Sequence, residues 1–303
     1  MDRPEAQDLD DLAAFAASCV GDRAVVVAAP RRLRGGVASE VYGLTCVLDG
    51  RAHRVVARRY VDDLPFRPGP PTVEGEAAVL AQLAERDVPA PRLLGADPTG
   101  DVAGLPTLVM TRLPGRLVLR PDDASAWTVR LAETLVGVHG LDVAAHPYEP
   151  WLDVSALEVP AFAGRPDLWR VALELLSTPP PPEAVGFVHG DYQQFNVLWH
   201  RGAISGVLDW TGSWHGPLDV DVAHARLNLA CLYGVERAEQ FRLAYEAKAG
   251  RATSPWRDVA ELVGYVPRFA HTLRRQIARR MDLDTTGMTE RVERLLALAL
   301  DRA

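Results

Sequence analysis

Lysine is almost absent. Of the 33 basic residues in this 303-residue chain only Lys248 is a lysine, so chemistry that calls for an ammonium group must use Lys248 or do without one. Arginine replaces lysine conservatively only where a point charge is enough, because its guanidinium is a planar, permanently charged fork of donors. Cysteine is scarce as well: Cys19, Cys46 and Cys231 are scattered and odd in number. They fit neither a disulfide framework nor a zinc site and point to a reducing compartment. Long apolar runs are missing. Stretches such as Ala24–Pro30 fall far short of the roughly 18 consecutive apolar residues that a membrane span requires. No basic tract breaks a net charge of −7, which makes DNA or RNA a poor partner. The acidic, polar residues Met1–Leu12 do not make a signal peptide, so a cytoplasmic protein is expected, with no membrane partner. What remains is an ordinary globular composition, 48% apolar and 24% charged, on a chain long enough for about two domains or lobes.

No repeat of fixed period is present, and low complexity is confined to Pro179–Pro182, a rigid spacer that excludes helix. Up to about Arg112 the pattern predicts mainly strands. Ala24–Ala29 is a short β run. Glu40–Leu48 and His53–Val61 flank Asp49-Gly50, a hairpin signal. Thr72–Arg86 places Val73, Ala77, Leu80 and Ala84 at helical spacing and is closed by Pro89 and Pro91. Leu105–Leu113 is an apolar strand ended by Pro114-Gly115. Beyond it helices are predicted at Asp122–His139, Asp167–Leu176, Asp219–Tyr233 and Arg237–Ala249 and on toward the C-terminus. A strand-rich island interrupts them at Phe187–Val188, Val197–His200 and Ile204–Leu208. The fold class that follows is α+β in two lobes. A β-rich lobe spans residues 1–113 and a helical lobe residues 114–303, with the boundary at Leu113–Gly115 and a cleft between the lobes.

The informative stretch is Phe187–Asp209. Asp191 and Asn196 lie five residues apart in a loop between apolar runs, and Asp209 follows thirteen residues later at the end of a hairpin strand. Asp and Asn offer the hard oxygens that Mg²⁺ takes in small number, with phosphates and water completing its octahedron. An aspartate without a metal can accept a proton from an attacking hydroxyl. One base and two metal ligands suit phosphoryl transfer. Taken singly, each residue could equally cap a strand end. Together with His189-Gly190 in front and Trp210 behind, the pattern favours chemistry.

This segment resembles the motif of the aminoglycoside phosphotransferase and choline kinase superfamily, small-molecule kinases of protein-kinase-like fold. There, His-Gly-Asp and a later Asn are followed by a strand ending in Asp-Trp. Two features separate the chain from a protein kinase. Asp209 is followed by Trp210-Thr211 rather than Phe-Gly, and the short interval from Asp209 to Asp219 leaves no room for a long activation loop. The resemblance spans about Leu33 to Leu229 and is specific at Asp191–Asp209. It implies Asp191 as catalytic base and Asn196 and Asp209 as Mg²⁺ ligands. It also implies a bracing role for His189 and an anchoring role for Asp221, which could instead simply favour a helix N-terminus.

In the first lobe, Leu33–Glu40 lies between two strands and carries Gly35, Gly36 and Ser39. Glycines let backbone N–H groups approach phosphate oxygens, and Ser39 adds a hydroxyl; a plain turn is the alternative. The segment resembles the family's phosphate-covering loop. Arg58 fills the place of the usual third-strand lysine, with Arg59 as rival; strand alternation puts the two on opposite faces. Glu76 resembles its pairing acid, with Glu74 as rival. Met110, Thr111 and Leu113 resemble the linker whose backbone meets adenine. His139 reads as a helix-terminal histidine facing the dipole, and the arginines of His271–Arg280 as a solvated face. The resemblance implies an O-phosphotransferase for an aminoglycoside or similar antibiotic, dependent on Mg²⁺ and on ATP or another nucleoside triphosphate. A choline-, homoserine- or sugar-like metabolite kinase and a catalytically silent nucleotide-binding module are the alternatives.

Overall fold

In the computed structural model, residues 5–33, 39–61, 72–150, 152–264, 273 and 287–303 are described. Asp49 (φ 50°) and Gly50 (φ 76°) both take the left-handed region. Two such residues make a turn whose twist matches the strands beside it. It joins β3 (Ser39–Leu48) to β4 (Arg51–Tyr60), with Leu48 opposite Arg51. Around this hairpin lie β1 (Val25–Val26), β2 (Arg31–Arg32), β5 (Leu93–Asp97) and β6 (Thr107–Thr111). The sheet order is β1-β3-β4-β6-β5, with β2 also on β3, and its pairings are antiparallel.

Alternation along β4 sorts its side chains. Val55, Ala57 and Arg59 are buried on one face, while Val56, Arg58 and Tyr60 are half-buried on the other. Helix α1 (Glu5–Val20) covers the first face, packing Leu12, Ala16 and Ala17 on Tyr42, Leu44, Cys46, Val55 and Ala57. This helix is missing from the strands predicted for the first lobe. Its apolar stripe is alanine-rich and is diluted by acids, so its period is faint. Helix α2 (Val73–Leu83) packs on β5 and β6 and is capped by Thr72, whose hydroxyl accepts from Gly75 N at 3.0 Å. Strand β5, beyond Pro89 and Pro91, is a second element absent from the sequence reading.

The chain divides into two compact units. One comprises Met1–Arg116 with Leu198–Gly212, and the other Leu117–Val197 with Ser213–Ala303. The division expected at Leu113–Gly115 thus falls at Arg116, and the hairpin of β9 (Val197–His200) and β10 (Ala203–Val207) goes largely with the first unit. A single cut along the chain has no means of assigning such an excursion. The short strand β7 (Arg116–Leu117) pairs with β9.

The second unit is mainly helical. It holds α3 (Ala124–His139), capped by the Asp123 side chain, and α4 (Pro166–Leu176), with proline in its first turn. It also holds α5 (Asp219–Tyr233), α6 (Val235–Ala249), α7 (described over 255–264) and α8 (Met288–Leu300). Strand β8 (Val185–Val188) pairs antiparallel with β11 (Trp214–Pro217), which the sequence reading lacks. Helix α5 is buried along nearly its whole length, from Asp219 to Cys231, and takes Asp219, Asp221, His224, Arg226 and Asn228 inside with it. Buried polar groups must find partners. Arg226 finds Glu239 of α6 and Asp258 of α7; the partners of Asp221 and His224 are described below. A β-rich unit and a helical one make the α+β, two-lobed class expected. Among the described residues no helix is long and apolar enough to cross a membrane. Of His271–Arg280, all but Leu273 lies outside the described residues, including Arg274, Arg275, Arg279 and Arg280.

Candidate active site

The first unit gathers three of the expected residues around the guanidinium of a fourth, Arg58. Arg58 Nη1 donates to Asp209 Oδ1 at 2.7 Å and to both Glu76 oxygens at 3.2 Å, while its Nε donates to Ser39 Oγ at 3.1 Å. Glu76, only 1% exposed, also accepts from the Tyr60 hydroxyl and from Trp210 N at 3.2 Å. A buried carboxylate is tolerable only when paired in this way. Burial opposes charge on Arg58, but the Asp209 and Glu76 carboxylates outweigh it and raise the group well above its ordinary range. Asp209 takes the left-handed region at φ 67° and accepts from the Thr211 hydroxyl. That conformation costs a non-glycine residue about 1–3 kcal/mol, a kind of strain that gathers at functional positions. It turns the chain so that the Asp209 carboxylate and the Trp210 amide reach the same cluster.

Arg59 occupies the opposite face, 3% exposed, with Nη1 4.0 Å from Glu40 Oε2. Glu74 is exposed, unlike Glu76. Ser39, expected in the phosphate-covering loop, is the first residue of β3, buried, with its hydroxyl engaged by Arg58. Gly35 and Gly36 lie outside the described residues. Met110 and Thr111 are strand residues of β6, paired with Val56 and Val55 of β4. The amides of Thr111 and Arg112 already donate to Arg92 O and Arg54 O, at 2.9 and 3.1 Å. Leu113, just beyond the strand, is half-buried.

In the second unit the loop after β8 is tied to the start of α5. His189 N and Gly190 N donate to the two oxygens of Asp221 at 2.7 and 2.8 Å. Gly190 sits at φ 80°, a conformation suited to glycine. His139 Nε2 lies 3.1 Å from Asp221 Oδ2, and its Nδ1 lies 2.7 Å from the Tyr245 hydroxyl. These contacts replace the dipole role expected of His139: both ring nitrogens have tertiary partners, and Gly140 caps the helix. Burial would raise Asp221, but the hydrogen bond from His139 and the neighbouring His189 hold it below the usual carboxylate range. Asp191 N donates to His189 Nδ1 at 3.2 Å, so the histidine braces the loop from within.

Three side chains hold the Asp191 carboxylate. Gln193 Nε2 donates to Oδ1 at 2.9 Å and Asn196 Nδ2 donates to Oδ2 at 3.0 Å. His224 Nε2 lies 3.2 Å from Oδ1, and Nδ1 of the same ring lies 2.7 Å from Glu261 Oε1. Burial alone would lower His224, but the hydrogen bonds to Asp191 and Glu261 push it up to about 10. Asn196 Nδ2 also donates to Asp191 O at 2.9 Å, which leaves the amide oxygen as the atom suited to a hard cation. Tyr60, Thr211, Gln193, His224 and Glu261 escaped the sequence reading. Gln193 and Thr211 sit two residues from motif aspartates, a faint signal; His224 and Glu261 carry none.

Among the described residues no three His, Cys, Asp or Glu side chains are grouped to hold a metal by themselves. Asn196 and Asp209 are hard oxygen donors of the type Mg²⁺ accepts alongside phosphate and water.

The profile of the phosphotransferase enzyme family matches residues 30–262. Solved structures share the fold. A thermostable mutant of aminoglycoside phosphotransferase APH(4)-Ia, in ternary complex with AMP-PNP and hygromycin B, is 16% identical with a TM-score of 0.60, covering 94% of this chain and 98% of its own. A choline/ethanolamine kinase family protein from Mesorhizobium loti is 16% identical with a TM-score of 0.57, covering 91% and 89%. The amicoumacin kinase hAmiN, in complex with AMP-PNP, Ca²⁺ and Ami, is 16% identical with a TM-score of 0.56, covering 90% and 88%. No curated protein sequence matches. With the family profile spanning most of the chain and the protein-kinase-like fold shared by these structures, the chain belongs to the phosphotransferase enzyme family, whose reaction passes a phosphoryl group to a small-molecule hydroxyl.

Proposed function

We propose that the chain is an ATP- and Mg²⁺-dependent O-phosphotransferase that modifies a hydroxylated, amine-bearing antibiotic such as an aminoglycoside. The observation that carries this reading is the Asp191 carboxylate, gripped on both oxygens, with Asn196 turned so that its amide oxygen remains for a cation. Asp191 accepts the proton of the acceptor hydroxyl as that oxygen attacks the γ-phosphorus. Asn196 and Asp209 would each supply an oxygen to Mg²⁺, which when bound would offset the charge of the triphosphate oxygens. Arg58 neutralises phosphate charge, steadied by Glu76. Gly35, Gly36 and Ser39 cover the phosphates, Ser39 by setting the direction of Arg58. Met110, Thr111 and Leu113 form the adenine edge, and Leu113 supplies the backbone amide because those of Thr111 and Arg112 are taken by the sheet. The free thiols Cys19, Cys46 and Cys231 suit cytoplasmic work.

The antibiotic acceptor follows the hygromycin B and amicoumacin complexes of two structures of this fold. Residues 114–303 hold 24 acidic against 20 basic residues, a net of −4, compatible with a cationic acceptor. The test is transfer from ATP, with Mg²⁺, to a panel of hygromycin B, amicoumacin, a macrolide, choline and homoserine, read by mass of the phosphorylated product. Transfer to an amine-bearing antibiotic with a KM that rises between low and moderate salt is expected. Transfer to choline or homoserine alone would make the chain a metabolite kinase. Absence of both transfer and MgATP hydrolysis would leave a silent nucleotide-binding module.

A further inference from the structure

We infer that His224, held by Glu261, is a positioning residue that fixes the orientation of the Asp191 carboxylate for proton acceptance. The inference rests on the reading of Asp191 as the base and adds to it two residues from α5 and α7 that no part of the motif contains.

The geometry is that of one ring between two acids. His224 is 6% exposed and Glu261 4% exposed. Nδ1 of the ring lies 2.7 Å from Glu261 Oε1 and Nε2 lies 3.2 Å from Asp191 Oδ1. Neutral imidazole has a single N–H and could donate to only one carboxylate; the doubly protonated ring donates to both. Asn228 Nδ2, 3.3 Å from Nε2, has a shorter bond to the His224 carbonyl at 3.1 Å. Burial works against the charge on the ring, yet Asp191 and Glu261 outweigh it; burial also raises the Glu261 carboxyl above its ordinary range, opposed by His224 and Arg257. The other charged groups nearby have their own partners. Arg257 of α7 pairs with Glu183, Arg226 of α5 pairs with Glu239 and Asp258, and Asp221 is bound by the loop amides and His139.

Because the ring already carries both protons, it is not a relay. The acceptor proton moves to Asp191 as the acceptor oxygen bonds phosphorus and the bond from phosphorus to ADP breaks; His224 keeps its protons throughout. Glu261 has no direct part in this step. It maintains the charge of the ring, and with Gln193 and Asn196 the ring fixes the plane of the carboxylate.

The test uses the full chain with His224→Gln, Glu261→Gln and Asp191→Asn, and MgATP hydrolysis as turnover, water being the acceptor. In His224→Gln, kcat is expected to fall roughly tenfold with KM for MgATP within about twofold, the sign of a misplaced carboxylate rather than of lost nucleotide binding. In Glu261→Gln an alkaline limb is expected near neutral pH, where the ring now loses its charge. Imidazole NMR of the unmodified protein, assigned against His224→Gln, is expected to show a doubly protonated ring at pH 8. A neutral ring at pH 7 overturns the inference even if neither variant folds. A lowered Tm with kcat kept in His224→Gln and no alkaline limb in Glu261→Gln also overturns it and leaves a purely structural pair. If Asp191→Asn keeps its turnover, the base reading itself has failed. If Asp191→Asn is inactive and His224→Gln keeps its kcat, only the present inference has failed.

Discussion

Asp209 and Asp191 belong to different units, and each is held by a cation of a different kind. Asp209 meets Arg58, a guanidinium charged at any accessible pH, together with the Thr211 hydroxyl. Asp191 meets His224, whose charge is favoured by Asp191 itself and by Glu261 on the far side of the ring, together with two amides. In the first unit the residue type fixes the electrostatics. In the second the surroundings do.

The sharpest way to break this comparison is Asp191→Asn. Turnover is expected to fall by roughly 10²–10⁴, the worth of a positioned base, with nucleotide affinity kept. Steady-state kinetics beside a nucleotide titration checks it, and near-normal turnover would remove Asp191 from the role. Next comes the pair Arg58→Ala and Arg59→Ala. Removing Arg58 strips Glu76 and Asp209 of their cation, and breaking a buried pair costs about 3–5 kcal/mol. Denaturant melts should show destabilisation in both variants, since Arg59 is buried too, but turnover per folded molecule should collapse only for Arg58→Ala. The reverse result would exchange their roles.

A smaller effect is expected of Asp209→Asn, which should weaken Mg²⁺-nucleotide binding by about tenfold, near 1.4 kcal/mol, and Mg²⁺-free binding by less. Equal losses in the two titrations would contradict metal contact. The mildest test concerns pH. The folded value of His224 is raised to about 10. Its contribution to stability is therefore complete below its unfolded value, about 6.5, and is lost as pH rises through 10. Urea melts at pH 6.5 and 9.5 should show the unmodified protein losing more stability than His224→Gln over that interval.

Legibility follows the same divide. Asp49-Gly50 and the alternation of β4 made the central hairpin readable, and the five- and thirteen-residue offsets exposed Asp191, Asn196 and Asp209, because turns and motif loops are local. Helix α1 was hidden because its buried face sets alanines beside Leu12 and its flanks carry acids, which blurs the apolar period. Strand β11 is a four-residue element whose partner, β8, lies earlier in the chain, so no turn signal joins them. The partnerships of His139, His224 and Glu261 were hidden for a further reason. His139 lies 82 residues from Asp221 in the chain and His224 lies 37 from Glu261, and a contact made only by tertiary packing leaves no spacing to read.

Arg58 in the place of a lysine changes how the protein meets chemical reagents. Acyl phosphates, activated esters and aldehydes tag nucleotide-binding proteins by reacting with an amine, and a guanidinium protonated under all ordinary conditions is no nucleophile toward them. The one amine-bearing side chain, Lys248, is exposed near the end of α6 in the other unit. Lysine-directed probes of ATP-binding proteins should therefore label this protein on α6, insensitive to nucleotide, and miss it in any survey that takes protection by ATP as the sign of a kinase.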